Sequence, residues 1–128
     1  MRYLLDTHAF LWWILDDPRL SRRAAAIIAD AGNEILFSAA SAWEIVIKAQ
    51  FGRIAFEDNI VEFIPRQVSA NGFRNLPVHS EHALHVSKLP LLHRDPFDRM
   101  LVAQAQIEKV PLLTADQAVA QYQIEVVW

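Results

Sequence analysis

The sequence predicts an α/β fold in which helices cover both faces of a mainly parallel sheet. Short, continuously apolar runs alternate along the chain with longer segments of helical periodicity. Strands that are apolar on both faces are typical of parallel sheets buried between layers of helices. No repeat or low-complexity linker divides the 128 residues, and this length is typical of one domain. We therefore expect residues 1–128 to form a single domain.

The first half of the chain, residues 1–52, contains two predicted strands and three predicted helices. A side chain that can cap a helix N-terminus precedes each helical pattern. Glycine, or an acidic run that ends in proline, marks where these patterns end. In order, the elements are a strand over 3–5, a helix over 8–15, a helix from the cap Ser21 through Ala31, a strand over 35–37, and a helix that is capped by Ser38 or Ser41 and ends near Gly52.

The second half contains the clearest helix start in the sequence. Asp95 stands at an N-cap position, Pro96 at the first helical position, and a further acid, Asp98, lies in the first turn; this combination favours helix initiation. In order, the elements are a helix over 56–68 despite Pro65, a strand over 73–78, a helix over 79–88, the helix from Pro96 to about Lys109, a strand over 110–113, a short helix over 116–121 and a strand over 124–127.

Composition excludes several classes of protein. The absence of cysteine excludes a disulfide framework, a thiolate metal site and a cysteine nucleophile. The longest apolar stretch, residues 9–15, is far shorter than the roughly 20 residues that a membrane span needs. Asp6 interrupts the N-terminal apolar run, so these residues do not resemble a signal peptide. We expect a soluble, cytoplasmic protein without a membrane partner.

Four acidic residues lie near the predicted carboxyl ends of strands or in early turns of helices. Asp6 directly follows the first strand, and Asp116 follows the strand over 110–113. Glu44 lies about one turn into its helix, and Asp98 lies in the first turn of another. Right-handed crossovers bring such positions to one edge of a parallel sheet, where ligand sites of these folds gather. We expect the four side chains to converge, although they come from separate segments.

A cluster of four carboxylates requires a counter-charge. Two like charges about 4 Å apart repel by roughly 4 kcal/mol at an effective dielectric constant of 20. Ligands that are exclusively oxygen favour Mg²⁺ or Mn²⁺ over Zn²⁺. The net charge of −3 argues against nucleic-acid binding, unless a cation neutralises the acids and presents positive charge to a phosphate. Metal-assisted phosphodiester hydrolysis is the chemistry that fits this assembly.

Four segments of the chain also resemble a known family. They read Leu-Leu-Asp-Thr-His at 4–8, Ser-Ala-Trp-Glu-Ile-Val-Ile-Lys at 41–48, His-Arg-Asp-Pro-Phe-Asp-Arg-Met-Leu-Val-Ala-Gln-Ala at 93–105, and Leu-Thr-Ala-Asp at 113–116. Together they resemble PIN-domain nucleases and, more narrowly, the VapC toxins of bacterial type II toxin–antitoxin modules. The resemblance implies a three-layer α/β/α sandwich, a Mg²⁺- or Mn²⁺-dependent endoribonuclease acting on RNA, a homodimer, and inhibition by a small VapB-like antitoxin.

The resemblance also implies roles for individual residues. Asp6, Glu44, Asp98 and Asp116 correspond to the first to fourth metal-binding acids. We expect Asp6 and Asp98 to be the principal ligands, and the other two to complete the pocket and help to orient the attacking water. The family hydrolyses RNA with metal-activated water and without a covalent intermediate, which implies 5′-phosphate and 3′-hydroxyl ends.

Residues near these acids have competing interpretations. Asp95 stands where it would cap a helix, and it is also an alternative to Asp98 as the third acid. Lys48 lies four residues after Glu44, the spacing of an ordinary surface ion pair, and it is also a candidate phosphate contact. The remaining candidates are Thr114, which would orient Asp6, and Arg94 and Arg99, which would contact RNA phosphates.

The five histidines do not predict a histidine metal site. His79, His82 and His85 recur at helical spacing, which is typical of a partly exposed helix face. His93 is an alternative candidate for RNA contact, and His8 for the acid cluster, because each lies close in sequence to a predicted ligand.

Three other functions compete with this interpretation. The enzymatic alternative is a metal-dependent nuclease or phosphatase of another acid-rich α/β family. Among these, a haloacid-dehalogenase phosphatase needs Asp-x-Asp after the first strand, where this chain has Asp6-Thr7-His8. A receiver-like regulatory module needs an acceptor aspartate after the third strand, where this chain has Val78-His79. A PIN-fold binding module without catalytic activity is compatible with the sequence, because sequence alone does not report activity.

Overall fold

A computed structural model describes all 128 residues and contains a five-stranded sheet. The strands are β1 (Arg2–Leu5), β2 (Glu34–Ser38), β3 (Arg74–Leu76), β4 (Leu112–Leu113) and β5 (Val126–Val127). Their spatial order is β3-β2-β1-β4-β5, and all four neighbouring pairs are parallel. The chain extends the sheet on one side of β1 and then returns to extend it on the other. The strand order therefore reverses between β1 and β4.

Six α-helices connect these strands. They are α1 (Thr7–Ile14), α2 (Arg22–Ala29), α3 (Ala39–Gln50), α4 (Ile60–Ala70), α5 (Ser80–His85) and α6 (Pro96–Glu108), with two 3-10 segments over Val86–Lys88 and Val119–Gln121. None of the helices combines the length and the apolar character needed to traverse a bilayer. The α/β class and the parallel sheet predicted from the sequence are confirmed.

The sheet separates two apolar clusters, because successive side chains of a strand point to opposite faces. Leu4 and Leu112 contribute to a cluster that includes residues of α6. Their neighbours Leu5 and Leu113 contribute to the other cluster, with residues of α1, α2 and α4. Helix, sheet and helix thus form three layers, as expected.

Two predicted helices differ from those in the structure. The helix expected over 56–68 begins at Ile60, because Asn59 supplies the cap: its Oδ1 accepts a hydrogen bond from the Val61 N–H at 2.9 Å. The helix expected over 116–121 is reduced to the 3-10 segment Val119–Gln121. Asp116 Oδ1 instead accepts from the Ala118 N–H at 2.8 Å and closes a local turn.

A buried hydrogen bond joins β2 and α3 to α6. Ser38, rather than Ser41, caps α3, with its Oγ accepting from the Ala40 N–H at 3.0 Å. The same hydroxyl donates to Gln104 Oε1 on α6 at 2.6 Å. The Gln104 side chain is fully buried and also donates to the Pro77 carbonyl at 3.2 Å. The two helices that carry Glu44 and Asp98 are therefore held to each other by a hydrogen bond as well as by apolar packing.

The prediction of a partly exposed histidine face is wrong for His82. His79 is exposed and His85 is half-buried, but His82 is buried against α6. Its Nδ1 accepts from the His79 N–H at 3.0 Å, and its Nε2 lies 3.7 Å from Glu108 Oε2. Helix α5 has only six residues, so packing against α6 rotates its central residue into the core.

Candidate functional site

The predicted acids lie at the carboxyl edge of the sheet, around the point where the strand order reverses. Asp6 ends β1, and Asp116 follows the neighbouring strand β4. Crevices at such reversal points are the usual ligand sites of open α/β sheets. Helix α3 starts at this edge because it directly follows β2, and α6 starts there because it returns along the sheet to enter β4. Their early turns supply Glu44 and Asp98.

The surroundings of Asp98 disfavour its ionised form. Burial, followed by the negative charges of Asp95, Asp116 and Glu44, raises the pKa of Asp98 to about 7, against a lowering effect of the hydrogen bond with His93. Like charges disfavour ionisation when they lie near one another in a partly desolvated site. Asp95, Asp116 and Glu44 are therefore close enough to Asp98 to repel its ionised form.

Asp6 is the most deeply buried of the four aspartates of the site. Burial raises its pKa above the ordinary value, and the charge of Asp116 adds to that effect. Hydrogen bonds from the Thr114 hydroxyl and the Ala9 N–H act in the opposite direction. The second of these joins Ala9 N to Asp6 Oδ1 at 2.7 Å, so Asp6 caps α1. Thr7, which directly follows this cap, donates its hydroxyl to Glu44 instead.

Glu44 is buried, and its two carboxylate oxygens have different partners. The Thr7 hydroxyl, which also lies 3.0 Å from Ser41 Oγ, donates to Oε1 at 2.6 Å. Lys48 Nζ lies 2.7 Å from Oε2. Of the two interpretations of Lys48, the structure shows the i,i+4 ion pair, and the phosphate contact stays a prediction.

Asp95 and Asp98 have separate roles at the start of α6. Asp95 Oδ1 accepts from the backbone N–H groups of Phe97 and Asp98, each at 2.9 Å, and so caps the helix. Asp98 takes no part in the cap, and its Oδ2 lies 3.2 Å from His93 Nε2. Asp98 is thus the acid of this pair whose carboxylate is not engaged by the helix cap.

The two arginines predicted to contact phosphate differ in their surroundings. Arg99 is buried, and its Nη1 donates to the Pro90 carbonyl at 2.9 Å and to the Tyr122 hydroxyl at 3.0 Å. The expectation for Arg99 is therefore corrected: its guanidinium fastens the preceding loop. Arg94 is exposed and lines an open groove of about 510 Å³ together with His93.

The loop after β4 carries Asp116 and Thr114. The buried Thr114 hydroxyl accepts from the Asp116 N–H at 3.0 Å, and its proximity lowers the pKa of Asp6. Asp116 is exposed, and one of its carboxylate oxygens closes the turn with Ala118. His8, the other candidate near the cluster, is exposed and lies beside Trp12, with ring centroids 5.6 Å apart.

The acid cluster has the donor chemistry of a site for a hard divalent cation. All of its candidate ligands are carboxylates, and the raised pKa values of Asp6 and Asp98 indicate negative charge that the protein does not balance. No three Asp, Glu, His or Cys side chains are arranged to hold a metal ion as they stand. Asp6, Glu44 and Asp98 are each held by a protein donor, so joint coordination requires these side chains to reorient.

The sequence did not reveal one side chain that holds an acid, Thr7, and one that contacts the neighbours of an acid, Tyr122. Thr7 directly follows Asp6, and a hydroxyl at the end of a buried strand is a local signal that was interpreted only as a helix cap. Tyr122 contacts both His93 and Arg99 from the far end of the chain. No local pattern marks it.

The largest concavity of the molecule, about 610 Å³, lies apart from these acids. It is lined by residues of α1, α2, α4 and the loop between α1 and α2, and it includes Trp12, Trp13 and Leu20. None of the predicted ligands lines it. The predicted ligands and this concavity are therefore separate features of the surface.

Comparisons with known proteins agree with this architecture. Ribonuclease VapC16 of Mycobacterium tuberculosis (strain ATCC 25618 / H37Rv) is 36% identical over 72 residues, which are 53% of this chain and 51% of that protein. The match thus spans about half the length of the curated relative. The solved structure of VapBC2 from Rickettsia felis bound to a promoter DNA fragment superposes with a TM-score of 0.72 at 14% identity, covering 99% of this chain and 98% of the other.

A toxin–antitoxin complex from Klebsiella pneumoniae gives a TM-score of 0.62 at 19% identity, covering 98% of this chain and 96% of the other. These structures share the fold with this chain. The family model of the PIN domain matches residues 3–125, a span that includes β1, the strand-order reversal and all four acids. This chain belongs to the PIN domain family.

Proposed function

We propose that this protein is a divalent-metal-dependent endoribonuclease, with Mg²⁺ or Mn²⁺ as its metal, and the toxin of a type II toxin–antitoxin pair. The observation that carries the proposal is the grouping of Asp6, Glu44, Asp98 and Asp116 at the carboxyl edge of the sheet, with the pKa of Asp98 raised to about 7. Membership of the PIN domain family and similarity to a protein named as a ribonuclease support it.

Asp6 and Asp98 are the proposed principal ligands, with Glu44 and Asp116 completing the pocket. When bound, a divalent cation lowers the pKa of a bound water and stabilises the leaving oxygen of a phosphodiester. Thr7 and Lys48 fix the Glu44 carboxylate from two sides, and Thr114 fixes Asp6. Joint coordination requires these side chains to turn towards one ion, and the contacts that hold them limit how far each can turn.

The surface beside the acids is suited to an RNA strand. The groove next to His93 is open and has a volume of about 510 Å³. Arg94 lines it and is exposed, so it is the basic side chain of this group that is free to contact a phosphate. Lys48 pairs with Glu44, and Arg99 serves an internal role. Since the chain carries a net charge of −3, the cation and Arg94 supply the local attraction for a polyanion.

We also propose a VapB-like antitoxin and a second copy of this chain as partners. Similar folds occur in solved VapBC and toxin–antitoxin complexes. This chain exposes large apolar side chains, including Trp43 at 63% and Leu91 at 91% of their surfaces, and contiguous exposed apolar surface is typical of protein interfaces. Light scattering of the purified protein tests the dimer: a monomer at micromolar concentration contradicts it.

RNA cleavage by the purified protein tests the proposed activity. We expect single-stranded RNA to be cut internally with Mg²⁺ or Mn²⁺, leaving 5′-phosphate and 3′-hydroxyl ends, and cleavage to stop with EDTA. Asp6→Asn and Asp98→Asn should each lower the rate at least about 10³-fold, since each removes a metal-binding charge. Asp58→Asn is the matched control, because Asp58 is exposed and its nearest basic partner, Arg66, is 4.0 Å away.

Three outcomes would contradict the proposal. Cleavage that survives EDTA rejects the metal-dependent mechanism, and full activity of either site variant rejects that residue as a ligand. RNA binding without cleavage, by a folded protein supplied with metal, favours the alternative of a PIN-fold binding module. For the toxin role, induction without a partner should arrest growth, and induction of the Asp98→Asn variant should not.

A further inference from the structure

A buried chain of side chains leads from Arg99 to the Asp98 carboxylate. Arg99 Nη1 lies 3.0 Å from the Tyr122 hydroxyl, which lies 2.7 Å from His93 Nδ1. On the other side of the same ring, His93 Nε2 lies 3.2 Å from Asp98 Oδ2. Tyr122 is only 4% exposed. Four residues from three parts of the chain thus form one continuous series of polar contacts ending at the candidate site.

The donor and acceptor roles in this series follow from the chemistry of its members. A guanidinium has donors only, so the Tyr122 oxygen accepts from Arg99. The buried hydroxyl hydrogen of Tyr122 needs an acceptor, and His93 Nδ1 is the one that it contacts. The His93 proton therefore resides on Nε2, where it points at Asp98 Oδ2. Every hydrogen bond runs in one direction, from Arg99 towards Asp98.

The start of the series is fixed in place. The Arg99 guanidinium is buried and also donates to the Pro90 carbonyl at 2.9 Å and to the Val86 carbonyl at 3.4 Å. These carbonyls belong to the segment that leads into the His93 loop, so the arginine holds both the loop and the tyrosine. Arg99 and Tyr122 thus determine the orientation of the His93 imidazole from the side of the ring opposite Asp98.

We propose that His93 and Tyr122 are positioning residues, which fix the direction of the Asp98 carboxylate for divalent-metal binding. The inference rests on the proposed metal site and extends it beyond the four acids. A histidine that is itself oriented by a neighbour and donates to a ligand carboxylate limits the rotation of that ligand. Such outer partners change metal affinity by about 10- to 100-fold in proteins.

Mn²⁺ binding to the RNA-free protein, measured by calorimetry, tests the inference without relying on catalysis. Tyr122→Phe keeps the ring but removes the hydroxyl that sets the imidazole, and we expect Mn²⁺ affinity to fall about tenfold. Tyr3→Phe is the matched control. Tyr3 is the only other tyrosine and packs on the opposite face of the sheet, so its substitution should leave Mn²⁺ affinity unchanged.

Two substitutions of His93 separate positioning from general damage to the fold. A glutamine amide can place a donor near the position of His93 Nε2, whereas an asparagine amide reaches only the position of Nδ1. We expect His93→Gln to retain most of the Mn²⁺ affinity and His93→Asn to lose about tenfold. If His93 only filled space, the Mn²⁺ affinities of the two variants would not differ in this order.

The outcomes also distinguish this inference from the proposed ribonuclease activity. Unchanged Mn²⁺ affinity in Tyr122→Phe, or equal affinities of the two His93 variants, overturns the positioning role even if the wild-type protein cleaves RNA. The expected order of affinities in a protein that leaves RNA intact supports the positioning role and rejects the nuclease. A folded wild-type protein that binds no Mn²⁺ overturns the inference.

Discussion

Glu44 and Asp98 lie in the same cluster, but the protein surrounds them differently. Glu44 has a hydroxyl donor on one carboxylate oxygen and an ammonium group on the other, at 2.6 and 2.7 Å. Asp98 has a single side-chain partner, His93, at 3.2 Å, and burial together with three neighbouring carboxylates raises its pKa to about 7. The protein thus compensates the negative charge of Glu44 and leaves that of Asp98 largely uncompensated.

This difference gives Glu44 and Asp98 different effects on folding and on metal binding. A buried charge that is paired and hydrogen-bonded contributes to the fold, and removing its partner is costly. A partly buried charge beside like charges opposes folding until a cation binds. We infer that Glu44 forms the rigid side of the cluster, and Asp98 the side whose charge a metal neutralises. The predictions below test this contrast, from the largest expected change to the smallest.

Glu44→Gln should destabilise the protein by about 2 to 4 kcal/mol, because it leaves the Lys48 ammonium without its partner in a partly buried position. The measurement is chemical denaturation in EDTA at pH 8, compared with Asp58→Asn. A free energy of unfolding equal to that of the wild-type protein would show that the Glu44 ion pair contributes nothing to the fold, and the contrast with Asp98 would fail.

Divalent metal should stabilise the wild-type protein by about 2.7 kcal/mol at a concentration 100 times its dissociation constant, since a ligand that binds only the folded state adds this much. Thermal unfolding with Mg²⁺ or Mn²⁺, reversed by EDTA, measures the effect. Asp98→Asn should abolish most of the shift, and Asp58→Asn should preserve it. If metal shifts the thermal unfolding of Asp98→Asn as much as that of the wild-type protein, Asp98 does not bind the metal.

Without metal, Asp98→Asn should stabilise the protein by about 1 to 2 kcal/mol at pH 8, less than the full pKa shift implies because the carboxyl group retains contact with solvent. The folded state raises the pKa of Asp98 from 3.8 to about 7, so folding favours the protonated form. Its contribution to stability is therefore complete at low pH and is lost as the pH rises from about 4 to about 7.

Denaturation across this pH range, in EDTA, tests that contribution. The difference in unfolding free energy between Asp98→Asn and the wild-type protein should grow in favour of the variant as the pH rises and then level off above about pH 7. A difference that stays constant across the range would show that the pKa of Asp98 is not raised in the folded protein.

Thr7→Val should have the smallest effect, a loss of about 1 kcal/mol in stability, because it removes one donor to Glu44 and keeps the shape of the side chain. Lys48 still holds the other carboxylate oxygen, so the fold should persist. Denaturation at pH 8 measures the loss. A destabilisation as large as that of Glu44→Gln would mean that the hydroxyl, and not the ion pair, holds Glu44.

The sequence alone predicted the layers of the fold and the acids of the proposed site. Apolar strand runs, cap residues and the Asp95-Pro96 helix start act locally, so they could be interpreted without coordinates. The positions of Asp6, Glu44, Asp98 and Asp116 near strand ends also followed from the order of elements, because topology brings those ends to one edge. The predicted helix over 56–68 starts too early, because Asn59 caps the helix after the expected start.

Only the tertiary structure decided which side chains hold these acids. Thr7 meets Glu44 across 37 residues, and Arg99 meets Tyr122 across 23. Periodicity and spacing carry no information on such pairs, because the partner of a buried polar group is chosen by packing between distant elements. For the same reason the sequence predicted a phosphate contact for Arg99, whereas in the folded protein its guanidinium donates to the Pro90 carbonyl and the Tyr122 hydroxyl.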